Sequence, residues 1–138
     1  MMRYSGAVLI GVLVPALAIA GRRAEQPLAS QGPFGPISLE AAPPRFQGRC
    51  PAHLRFTATI AVSVHPMVFN YQFERSDGAK SQLRVVRVPA NGPATYRFSE
   101  QWQVGAAGQH MQVWEKLKVA SGVTHVETDP MSVDITCR

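Results

Sequence analysis

The sequence predicts an all-β protein, an antiparallel sandwich of about seven strands. Apolar and polar residues alternate with a period of two over most of the chain beyond residue 44. Gly- or Pro-containing turns interrupt that alternation repeatedly, and no amphipathic helical stretch of useful length is present. The composition agrees. At 138 residues one domain is expected, and a large multi-domain enzyme is excluded. The 46% hydrophobic share argues against wholesale disorder. A charged share of only 17%, with 11 Gly and 11 Pro, argues against a coiled coil.

The first element is an address. Residues 1–20 hold 15 of the chain's 63 hydrophobic residues. Arg3 precedes an uncharged run from Gly6 to Ala20, which closes on Ala18-Ile19-Ala20. Such a basic start, apolar centre and small-x-small end predict a cleavable signal peptide over 1–20. The run is short for a bilayer span and contains Pro15, which disfavours the alternative of a retained anchor. No membrane span is expected after cleavage. The mature chain would have 118 residues, net charge +4, and a secreted or periplasmic address.

Residues 21–44 repeat Pro and Gly without a sustained period, which predicts a flexible lead. An alternative packs this segment onto the domain through Phe34, Ile37 and Leu39. The sandwich itself is expected over 45–138, with a short strand near Cys50. Leu54, Phe56, Ala58, Ile60, Val62 and Val64 then alternate with Arg55, Thr57, Thr59, Ala61 and Ser63 as a long half-buried strand. Met67, Phe69, Tyr71 and Phe73 form the next, ended by the turn Ser76-Asp77-Gly78. Residues 82–88 change phase at Val85-Val86, the mark of a bulge or an edge strand. After the Pro89–Pro93 turn, Tyr96, Phe98, Trp102 and Val104 share one parity. Met111, Val113, Leu117 and Val119 do so beyond Gly105–Gly108, and Met131, Val133, Ile135 and Cys137 after Ser121-Gly122.

Cys50 and Cys137 are the chain's two cysteines. In an exported chain an even count reads as a disulfide, and two cysteines allow one intramolecular pairing. The bridge would close a loop of about 88 residues, worth roughly 4–5 kcal/mol by chain entropy. It is expected to staple the first strand to the last. Metal or catalytic use is disfavoured, because neither cysteine lies in a CxxC or at ligand spacing from a histidine.

Cys50-Pro51, LRFTATIAV (54–62), YQFERSDGA (71–79), the Trp102 and Trp114 strands and the terminal ITC together resemble the Ig-like or fibronectin-III-like β-sandwiches of small exported bacterial proteins. The likeness covers about residues 48–138. It implies an Ig-like fold and export, and no active site. One departure is that the antibody-type bridge joins the second and sixth strands, neither of which carries cysteine here.

Candidate chemistry is sparse. His53, His65, His110 and His125 form no HxH, HxxxH or HExxH, so they read as loop histidines rather than metal ligands or catalytic groups. There is no GxSxG and no phosphate-binding glycine loop. No cofactor, metal, enzymatic activity or specific nucleic-acid recognition is expected. Arg97, Lys116 and Lys118 occupy the parity opposite the apolar residues, and Trp114 stands with them. If their strands adjoin, they form a basic face with an exposed tryptophan, suited to a protein partner or an envelope polyanion. The bland alternative is solubilising charge on outward strand positions and a tryptophan turned inward by a bulge. The expected function is therefore a non-enzymatic exported binding or structural module with an unidentified partner. The alternatives are a polyanion-binding protein and, less favoured, a histidine-based metal site or enzyme.

Overall fold

The computed structural model describes residues 32–138. The expected signal peptide (1–20) and residues 21–31 of the expected lead lie outside the described residues. The described chain forms nine strands: β1 (Phe34–Ala42), β2 (Arg45–Gly48), β3 (Ala52–Val62), β4 (Met67–Arg75), β5 (Arg84–Val88), β6 (Thr95–Val104), β7 (His110–Ser121), β8 (Thr124–Glu127) and β9 (Met131–Cys137). Two sheets pack face to face. One has the order β1-β3-β6; the other runs β2-β9-β7-β4-β5, with β8 also paired to β7.

The period-two pattern decides this arrangement. Along β3 every second residue, from Ala52 to Val62, is buried, and β9 alternates in the same way from Val133 to Cys137. Phe34, Leu54, Phe56, Ile60, Phe69, Leu117, Val133 and Ile135 are each almost fully buried between the sheets. Phe34 meets Phe69 edge-on across the core, with ring centroids 5.8 Å apart. Such side chains each contribute about 1.5–3 kcal/mol through burial.

Three expectations are corrected. The lead ends before Phe34, because β1 is a full member of the small sheet, paired with β3 from Phe34↔Val62 to Ala42↔Arg55. The reason is that Phe34, Ile37 and Leu39 all reach the core, and a bulge between Phe34 and Ile37 absorbs Gly35-Pro36. Periodicity was masked by the prolines. Second, the described residues form nine strands rather than seven, since β1 and the four-residue β8 lack a long alternation. Third, the sandwich is not wholly antiparallel: β2 pairs parallel to β9, Arg45↔Asp134 to Gly48↔Cys137. The phase change at Val85-Val86 does mark an edge, because β5 pairs only with β4.

Cys50 and Cys137 are joined by a disulfide with Cα atoms 5.3 Å apart. It does not tie the first strand to the last. Cys50 sits where the chain leaves β2 for β3, crossing from the large sheet to the small one, and Cys137 ends β9. The bond therefore pins that crossing at one end of the sandwich.

Candidate functional site

Cross-strand partners share a sheet face, so the register assigns the outer surface of the large sheet. Lys118 lies between Gln72 of β4 and Glu127 of β8. Ala120 lies between Asn70 and His125. Lys116 partners Glu74, and Trp114 partners Ser132 of β9. Trp114, Lys116 and Lys118 are thus neighbours on one outward face of β7, as the parity indicated.

Arg97 does not join them. It is on β6, opposite Thr59, on the outer face of the other sheet. The strands read as adjacent from sequence belong to different layers, because the chain switches sheets at the Gly105–Gly108 turn.

The lysines are also not a free basic stripe. Lys118 Nζ lies 2.8 Å from Glu74 Oε2, and Lys116 Nζ contacts Glu127 Oε1 and lies 3.9 Å from Glu74 Oε1. The Lys118 ammonium holds the Glu74 carboxyl below its ordinary range, and Glu74 in turn raises Lys118. Trp114 is half-buried, with the Lys116 ammonium 5.7 Å from its ring centroid. Its backbone is clamped by the β4–β5 turn: Ser76 N–H donates to Trp114 O at 2.9 Å, and Trp114 N–H donates to Ser76 Oγ at 3.1 Å.

Beside this ladder lies a groove of about 440 Å3, lined by Asn70, Gln72, Leu83, Lys118, Ala120, His125 and Glu127 among others. The short Ala120 and Asn70 pair across β7 and β4 within it, with His125 of β8 on the far flank of Ala120. Leu83 (59% exposed), Val85 (61%) and Val68 (46%) give this margin of the sheet an apolar rim. The outer face of the small sheet differs. Exposed His53, Arg55, Gln101 and Gln103 border a smaller depression of about 180 Å3, with Arg97 further along β6.

Sequence reasoning missed one inward group. Glu115 of β7 is fully buried, and neither of its carboxyl oxygens has a hydrogen-bond partner. The sign was present: residue 115 has the parity of Val113 and Leu117. Burial first, then the facing Glu100 carboxylate, push the Glu115 carboxyl up to about 9, with Arg75 opposing and Asp77 adding to the rise. Arg75 Nη2 donates to Glu100 Oε1 at 3.1 Å and to the Gln101 carbonyl at 3.2 Å, while its guanidinium lies 5.0 Å from the Trp102 ring centroid.

The histidines are dispersed over four different segments, and His65 Nε2 donates to the Pro93 carbonyl at 3.0 Å. Among the described residues no group of three or more His, Cys, Asp or Glu could hold a metal ion. No helix among them is long and apolar enough to cross a membrane.

No protein-family model and no curated protein sequence matches the chain. Among solved structures it is similar to the crystal structure of the C-terminal domain of Wzt. The TM-score is 0.44 and the identity 10%, over 79% of this chain and 77% of that one.

Proposed function

We propose that the chain is an exported, disulfide-stapled sandwich of Ig-like type that acts by binding rather than catalysis, at the cell envelope or outside the cell. The signal-type segment over 1–20 and the Cys50–Cys137 bond support export. One observation carries the binding reading: the groove on the outer face of the large sheet, lined by amides and an imidazole and bordered by exposed apolar side chains. Its lysine and glutamate are already paired with partners on neighbouring strands. The ligand that fits is therefore polar and close to neutral, not a polyanion.

A fragment screen on the 15N-labelled mature chain tests this reading. Shift perturbations should cluster at Asn70, Gln72, Ala120 and His125. They should vanish in Ala120→Trp, which fills the groove. Hits confined to other surfaces would overturn it.

A polyanion reading survives on the opposite face, where Arg55 and Arg97 are exposed and form no ion pair among the described residues. Retention on heparin that falls steeply with salt, and falls further in Arg55→Ala/Arg97→Ala, would support it. No retention at low salt would remove it.

A further inference from the structure

β1 is one edge of the small sheet, and β6 is the other. Near its far end, Arg75 of β4 reaches over from the large sheet and holds it, through Glu100 and the Gln101 carbonyl. Behind that contact stands Glu115, fully buried on β7. Both Glu115 oxygens, one Glu100 oxygen and Arg75 Nε are all without partners. The charged groups that act on Glu115 are Glu100 from β6, Arg75 from β4 and Asp77 from the β4–β5 turn.

The charge count is decisive. One guanidinium faces two carboxyl groups, Glu115 fully buried and Glu100 partly exposed with one oxygen enclosed, and Asp77 makes the balance worse. A buried carboxylate without a cation or donor is strongly unfavourable, and two adjoining carboxylates do not both ionise. One added proton resolves both problems. A proton on Glu115 would let its O–H donate to the open Glu100 oxygen while Glu100 keeps its bond from Arg75.

We propose that Glu115 and Glu100 form a one-proton site, and that this proton latches the β6 edge onto the large sheet. Losing it sets two carboxylates against each other beneath an edge strand. The side that yields is β6, since β7 is held by strands on both of its flanks. Glu100 and Ser99 line a cleft of about 280 Å3 with Tyr71, Phe73 and Arg84. Outward movement of β6 widens that cleft and uncovers the half-buried Tyr96, Phe98 and Tyr71, whose Phe98–Tyr71 rings stack at 4.2 Å. The site is a pH-responsive gate on an aromatic cleft, separate from the outer-face groove.

Two measurements on the mature chain decide it. Carboxyl 13C titration should show Glu115 still protonated at pH 7, and ionising far above the other glutamates. In Glu100→Gln that titration should move down. Ionisation of Glu115 in the ordinary carboxylate range would overturn the proton site. Hydrogen exchange at Ser99–Trp102 should then accelerate at least tenfold in the native chain, beyond the intrinsic pH effect, as Glu115 ionises. Glu115→Gln should show no such acceleration; Glu100→Gln serves the same comparison if that variant fails to fold. Equal acceleration in native and variant chains would overturn the latch.

Discussion

A β-carbon on Gly105 would lie 2.8 Å from the Cys137 sulfur and 3.1 Å from that of Cys50. The turn after β6 is thus packed directly on the disulfide, and Gly105 adopts φ +95° to make the approach. Gly105→Ala combines backbone strain with a steric clash against a rigid bond, and should cost about 2–4 kcal/mol. Gly108 provides the control. Its φ is also positive, +81°, but no atom lies within 4 Å of an added β-carbon. Gly108→Ala should cost only about 1 kcal/mol, the strain alone. Denaturant midpoints of the two variants measure the difference, and equal losses would show that the disulfide contact is irrelevant.

Replacing both cysteines tests what the bond holds. The bridge spans a sequence separation of 87 residues and pins the crossing from β2 to β3 against the end of β9. Cys50→Ala/Cys137→Ala should lose about 2–5 kcal/mol. Exchange protection should fall first at Cys137, whose amide donates to the Gln109 carbonyl, and at Arg138, whose amide donates to Gly48. Uniform loss over all strands would place the bond's effect in the unfolded chain alone.

Thr128 closes the β7–β8 hairpin from both directions. Its hydroxyl accepts from Leu117 N–H at 2.9 Å, and its own N–H donates to Leu117 O at 2.9 Å. Leu117 is fully buried. Thr128→Val keeps the shape but strands the Leu117 amide, and should cost about 1–3 kcal/mol. Thr128→Ser retains the hydroxyl and should recover most of that in thermal unfolding. A loss as large in the serine variant would assign the effect to packing.

How far the sequence could be read depended on what each residue pattern encodes. Alternation encodes a buried face, so β3, β4, β6, β7 and β9 were legible, and Trp114, Lys116 and Lys118 share one face of β7. Alternation does not encode which sheet a strand enters. Arg97 was therefore joined to a face on the opposite layer. Pro33, Pro36, Pro43 and Pro44 disguised β1, although Phe34, Ile37 and Leu39 already carried its core contacts. The pairing of Lys118 with Glu74 needed the β4–β7 register, which no local pattern supplies. Glu115 was readable as a polar residue on an apolar parity. Its meaning came only from Glu100 on the facing sheet.

Two glutamates give the fold's stability opposite dependences on pH. Glu115 binds its proton more tightly when folded than at its ordinary value of 4.5. Its contribution is fully present below about 4.5 and is lost as pH rises towards about 9. Glu74 is lowered when folded by Lys118, so its smaller, solvent-screened contribution is present above 4.5 and is lost as pH falls through the lower folded value. The carboxyl contributions therefore peak near the ordinary glutamate range, and the chain should be more stable to denaturant at pH 5 than at pH 8. Glu115→Gln removes the buried titration and should shrink that difference. Lys118→Met removes the nearer of Glu74's two lysine partners and should instead reduce the stability lost between pH 4.5 and 3. Unfolding midpoints across this range separate the two effects. An unchanged pH 5-to-8 difference in Glu115→Gln would mean that Glu115 carries no proton in the folded core.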